Sequence, residues 1–319
     1  MTAPSDAPSG AMPEAHRDTP AAAPVATSVT RPFYWSVRRE LWEHRALYVA
    51  PVAVAGLVLF GFLVSLIDLP RRAQHLSELD PARQAAALAE PYHFAAAAIM
   101  FTALIVGLFY CLGALHNERR DRSILFWKSL PVSDLVTVLS KASIPLVVMP
   151  LITFIVVVAL QVAMLLLNTV GRVASGISAA PLWTQVPLVQ MELLLAYGMI
   201  VVALWYAPVY GWLLLVSGWA RRAPFLWAVL PPLALCLVEK IAFDTHYFGS
   251  ILVHRLGGFS DAFGDGAFSR RAGAGGMSDP LSHVDAVVFL SMPGLWAGLA
   301  VAAGFIAAAV WQRRYRDPN

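Results

Sequence analysis

The residues whose types and spacing could do chemistry gather in one segment, residues 116–141. It carries a charged strip, Glu118, Arg119, Arg120, Asp121 and Arg122, followed by apolar Leu125, Phe126 and Trp127 and then Lys128. Asp121 or Ser123 can cap a short helix through Ile124–Lys128. Pro131 forces an extended or turned chain before it. Ser133 or Asp134 can cap a second helix running through Lys141. The product is an apolar knob on a charged collar, which is the chemistry of docking rather than of bond making. The other reading of the same residues is an interfacial anchor, with basic side chains on anionic headgroups and Phe126 and Trp127 at the membrane boundary.

The rest of the reactive inventory points away from catalysis. No GxxxxGK[ST] occurs, so the chain has no phosphate-cradling loop of that kind. HExxH and GxSxG are also absent. Cys111 and Cys236 lie in apolar runs without CxxC or Cys/His spacing and read as core thiols. Asp244, His246 and His254 match no zinc pattern, and Asp261 and Asp265 make no calcium loop, so no metal is expected. Ionisable groups within a bilayer mark ion or proton pathways. Here only Glu192, Glu239 and Lys240 enter the apolar runs, near their outer ends, where they can pair with one another or form an outer gate. An outside energy source fits better than an ion gradient. Trp205 and Trp212, seven apart, share a helix face that either packs and anchors or lines a route for an amphipathic molecule.

The elements that must position these residues are membrane spans. The chain has 319 residues, 58% hydrophobic and only 13% charged, with a mean hydropathy of +0.64. A soluble domain carries about 25% charged residues, so a soluble enzyme is excluded. A net charge of +3 is too small, and its residues too confined to the ends of apolar runs, for a nucleic-acid face. Spans need about 20 apolar residues each. Six segments meet this: 48–67, 94–115, 144–167, 191–219, 225–243 and 287–311, the fifth weakest because Pro231 and Pro232 interrupt it. Gly294 and Gly298 among other small residues permit close helix approach.

Residues 1–30 are rich in Ala, Pro, Ser and Thr and read as a disordered cytoplasmic tail, leaving 31–319 as one transmembrane domain. Residues 33–45 mix aromatic and charged side chains at near-helical spacing, which predicts an amphipathic helix in the membrane interface. Arginine and lysine in the flanks divide fourteen to eight, Arg39, Lys141 and Arg313 being on the richer side. The richer side is cytoplasmic by the positive-inside rule, with both termini there. The outer loops are then 68–93, 168–190 and 244–286, the last with a glycine-rich middle. The fold class is all-α: six transmembrane helices behind an interfacial helix. Only three lysines among the basic residues points to a GC-rich bacterial genome.

The run from Glu118 to Asp134, after an interfacial helix and two spans, resembles the ABC transporter permeases of the ABC-2 exporter type. The closing Pro293-Gly-Leu-Trp-Ala-Gly-Leu299 followed by Arg313, Arg314 and Arg316 is similar to those permeases too. The resemblance implies a coupling loop at 116–143 that docks on a separate ATPase subunit, with Phe126 and Trp127 in a groove and Glu118, Arg119 and Arg122 fixing the approach. It implies ATP and magnesium in that partner, a second permease chain, identical or related, and a bacterial plasma membrane. Residues 244–286 would correspond to the family's extracellular helical insertion. The substrate is unspecified, a lipid, drug, peptide or other amphiphile. The alternative function is a non-transporting membrane anchor or assembly factor that recruits a cytoplasmic protein through the same loop; an intramembrane enzyme comes third.

Overall fold

A computed structural model describes residues 30–120, 133–257 and 286–315. All regular structure in these segments is helical. Among the described residues, six helical stretches are long and apolar enough to cross a membrane: Ala46–Ser77, Pro81–Arg120, Asp134–Ala174, Ala180–Trp219, Pro224–Phe243 and Pro293–Tyr315. The chain is an all-α, multi-pass membrane protein.

Several helices outrun the bilayer. α1 (Thr30–Glu43) precedes the first span, α2 (Ala46–Ser65), and a short α3 (Leu69–Ser77) follows it. α4 (Pro81–Ala114) has 34 residues, roughly 51 Å at 1.5 Å per residue, against about 30 Å of hydrocarbon. Asp80 starts it by accepting from the Arg83 N–H at 3.0 Å, and Pro81 takes the first helical position, where its missing N–H costs nothing. The segment 68–93, expected as an outer loop, is therefore almost wholly helical. Its alanine-rich run propagates the helix, and Leu88 and Tyr92 give that extension a buried face.

α5 (His116–Arg120) continues from α4, and α6 (Asp134–Ser143) leads into the third span. Ser133 caps α6 by accepting from the Val136 N–H at 3.3 Å, deciding between the two caps the sequence offers. A π-turn at Ile144–Val148 joins α6 to α7 (Met149–Ala174), the Met149 N–H reaching back to the Ile144 carbonyl. Pro145 lies within it and Pro150 just beyond it; neither has an N–H to continue an α ladder, so the ladder shifts register there. α8 (Ala180–Gln185) and α9 (Leu188–Trp219) follow, α9 belonging to the most buried of the spans.

α10 (Pro224–Phe243) is one helix despite Pro231 and Pro232, and it exposes most of its side chains, with Ala228 its buried residue. The expected outer loop 244–286 opens with α11 (Tyr247–Gly257) and runs into α12 (Ala286–Ser291); its glycine-rich middle lies outside the described residues. α13 (Pro293–Tyr315) begins at Pro293, whose predecessor Met292 is the break from α12. α9 and α13 run side by side in the same direction. A Cβ on Gly211 would lie 3.2 Å from the Ala302 carbonyl oxygen, and one on Gly218 would meet Gln312. In lipid, such close van der Waals contact, rather than the hydrophobic effect, holds helices together.

Two large apolar clusters form among the described residues, with a small third around Leu115, Val138 and Ala309. One joins Tyr110, Ile144, Trp205, Tyr210, Leu214 and Leu295, and the other joins Phe62, Tyr92, Ile99, Val157, Met164 and Leu182. Arg39, Glu118, Lys141 and Arg313 meet at one end of the bundle, and His116 Nδ1 lies 3.0 Å from the Ala220 carbonyl oxygen there. The segments that the positive-inside rule assigns to one side therefore converge at one end, the basic end.

Candidate functional site

The basic end holds a buried charge cluster. α1 places Glu40 inward at 2% exposure, because Val37 and Leu41 lie against the core and Glu40 shares their helical face. α6 brings in Lys141, 1% exposed, about two turns into a helix entering the bundle. Its Nζ donates to Glu40 Oε1 at 2.6 Å and lies 3.1 Å from Glu118 Oε1. α13 ends by delivering Arg313, whose Nη1 donates to Glu118 Oε2 at 2.6 Å and whose Nε donates to Asp134 Oδ1 at 3.0 Å.

Smaller contacts complete the cluster. Tyr110 donates its hydroxyl to Glu40 Oε2 at 2.9 Å, and His44 packs edge-on against the Tyr110 ring at 5.0 Å. Arg39 Nη2 donates to Glu118 Oε1 at 3.0 Å and its Nε donates to Glu43 Oε1 at 2.8 Å. Burial works against the Arg39 charge, but the Glu43 hydrogen bond and the fields of Glu40, Glu43 and Glu118 outweigh it and raise its pKa.

Two buried carboxylates thus face two buried cations. Burying charges is costly, and pairing offsets that cost only when the hydrogen bonds are well made. Here both oxygens of Glu40 and both of Glu118 have donors. Glu40, Glu43 and His44 could each turn a ligand atom toward one point, but the Glu40 carboxylate is already taken by Lys141 and Tyr110. The group acts as a mechanical clasp. It ties α1, α4, α5, α6 and α13 together with no reactive pair among its members.

The clasp brackets the segment singled out by sequence. Glu118 and Arg119 stand near its start, Asp134 and Lys141 at its end. Glu118 is inside the clasp rather than on the surface, and half-buried Arg119 lines a shallow notch with Gly218 and Gln312. Arg122, Leu125, Phe126, Trp127 and Lys128 lie outside the described residues, as do the tail residues 1–29. On α1 the face opposite Glu40 exposes Tyr34, Trp35 and Trp42, with the Arg38 guanidinium about 5 Å from both indoles. The expected amphipathic helix therefore has its apolar face divided, Val37 and Leu41 going to the core and the tryptophans remaining outside.

The expected outer trio does not come together. Glu239 accepts from Thr245 Oγ1 at 3.1 Å and from the Phe248 N–H at 2.9 Å, holding the start of α11. Lys240 donates to Asp244 Oδ1 at 2.8 Å and lies 3.0 Å from His246 Nε2. Glu192, on α9, has a buried Oε2 without a hydrogen-bond partner. His246 and His254 serve different neighbours, His254 resting edge-on against Trp205. Trp205 donates to the Arg255 carbonyl at 3.0 Å and Trp212 to the Ala228 carbonyl at 3.0 Å, so both indoles are packing groups that seat α11 and α10.

The sequence missed Glu40 and Tyr110, and read Lys141 and Arg313 only as markers of topology. Glu40 and Lys141 carried a signal all the same: each is a charge standing in register with apolar, core-facing neighbours. No protein-family model, curated protein or solved structure matches this chain.

Proposed function

We propose that this chain is the membrane-spanning permease subunit of an ATP-driven exporter of the ABC-2 type, seated in a bacterial plasma membrane with the basic end in the cytoplasm. The observation that carries the reading is the loop 116–143 and its setting. Its sequence carries a charged strip and then an apolar run between the second and third spans, and the described residues at its two ends, Glu118 and Asp134, are fastened in the clasp. A partner that moved the knob would pull on Glu118 and Asp134 together, and through them on Lys141, Glu40 and Arg313. A local displacement would reach three spans and α1 in one step.

ATP hydrolysis belongs to a separate subunit in this reading, since the chain carries no GxxxxGK[ST] sequence. Binding and release of nucleotide there would shift the spans between two states only if the ATPase prefers one of them. Two permease chains with two ATPase subunits would form the working unit.

The test is purification of the tagged chain from its own membrane in mild detergent, with every stoichiometric partner identified. A P-loop ATPase is expected, and Phe126→Asp with Trp127→Ala should remove it. A different cytoplasmic partner, held without dependence on nucleotide, would replace this reading with the membrane anchor that the same loop could serve.

A further inference from the structure

α1 carries the clasp on one side and a different group of residues on the other. Successive residues of an α-helix turn by about 100°, so Arg38 and Glu40 point to opposite sides. The outward side presents Tyr34, Trp35, Arg38 and Trp42, three and four positions apart and therefore on one stripe. All three aromatic rings are more than half exposed.

Arg38 stands between two indoles, its guanidinium 5.1 Å from the Trp35 ring and 5.0 Å from the Trp42 ring. Contact with two π-faces holds the side chain in place and leaves its N–H donors unused. Among the described residues Arg38 has no ion pair, whereas its neighbour Arg39 is paired with Glu43 and Glu118. Arg45, seven positions on and exposed, has no carboxylate partner there either. The one exposed acid of α1, Glu43, is already neutralised by Arg39. The outward stripe thus bears uncompensated positive charge among aromatic rings.

Its depth is fixed by the chain. Only two residues separate Glu43, the end of α1, from Ala46, where the first span begins. The stripe therefore sits where hydrocarbon gives way to headgroups, the level at which tryptophan is favoured. An amphipathic helix there is indifferent to headgroup charge unless it carries unpaired charges of its own, and this one does.

We propose that this stripe binds the phosphate of an anionic phospholipid in the leaflet at the basic end. The Arg38 fork matches two phosphate oxygens, Trp35 and Trp42 rest on the glycerol and upper acyl chains, and Arg45 adds a second attractive charge. A zwitterionic headgroup brings its own ammonium, which offsets that attraction. Two residues along the same helix, Glu40 holds Lys141 and Tyr110, so a lipid that fixes α1 also steadies the clasp. Surface charge of the membrane would in this way set the stability of the basic end. The site needs neither an ATPase nor a transported substrate and stands apart from the permease reading.

The experiment titrates the full chain, in mild detergent, with phosphatidylglycerol or phosphatidylcholine. Bound lipid is counted by native mass spectrometry, and the thermal midpoint is followed in parallel. Phosphatidylglycerol should bind at least about fivefold more tightly and raise the midpoint, as expected when one guanidinium discriminates. Arg38→Met should lower affinity for phosphatidylglycerol about fivefold, leave phosphatidylcholine unchanged and abolish the gain in midpoint, while Arg38→Lys retains most of it. Arg71→Met, which removes an exposed cation beyond the far end of the first span, should change nothing. Equal affinity of the native chain for the two lipids, or an equal loss in Arg71→Met, would overturn the proposal. Displacement of the lipid by millimolar glycerol phosphate would overturn it too, by making the ligand a dissolved oxyanion.

Discussion

Lys141 is the residue on which the clasp depends most, since it touches both buried carboxylates. Lys141→Met would leave Glu40 and Glu118 facing each other with one cation fewer. Breaking a buried pair from one side costs about 3–5 kcal/mol. The expected outcome is a large fall in the thermal midpoint of the purified chain, followed by fluorescence-detected size exclusion. Adding Glu40→Gln to that variant should recover part of the loss, because it removes the orphaned charge. Arg38→Met is the contrast: its guanidinium lies on the exposed face between two tryptophans, and such contacts contribute about 0.5–1 kcal/mol. A thermal midpoint as low for Arg38→Met as for Lys141→Met would show that burial is not what makes the clasp costly to break.

α9 and α13 approach each other closely at Gly211. The Gly211 position has no room for a side chain, with the Ala302 oxygen at 3.2 Å and Phe305 Cβ at 3.3 Å from where a Cβ would stand. Gly211→Val should push the helices apart and destabilise the bundle by about 1–3 kcal/mol. Gly56 is the control: an added Cβ there meets nothing within 4 Å, so Gly56→Ala should leave the midpoint unchanged or raise it. α6 offers a separate test of its cap. Ser133→Ala removes the acceptor for the Val136 N–H and should cost about 1 kcal/mol. Its signature would be local, seen as faster amide exchange over the first turn of α6 while α9 is unaffected.

Across the whole molecule, the clasp joins α1 to the feet of the 116–143 loop and to the end of the last span. On the permease reading, holding the ATPase and transmitting its motion are separable. Phe126→Asp should lose the ATPase from the purified complex. Arg313→Met, which cuts α13 away from Glu118 and Asp134, should retain the ATPase at normal stoichiometry yet lower export, measured by efflux from vesicles. Equal loss of the ATPase in both variants would assign Arg313 to docking or folding instead of transmission.

The amino-acid sequence by itself determined that the chain crosses a membrane, about where, and which segments share an end. Those properties depend on runs of some 20 apolar residues and on the charges flanking them, and both are local in the chain. Helix type was legible for the same reason, even through Pro231 and Pro232. The extension of α4 over residues 81–93 was not, because its buried face becomes apparent only once Leu182 packs near Tyr92. The clasp could be decided only by tertiary structure. Glu40 and Lys141 are 101 residues apart and Glu118 and Arg313 are 195 apart, and composition does not say which cation meets which carboxylate.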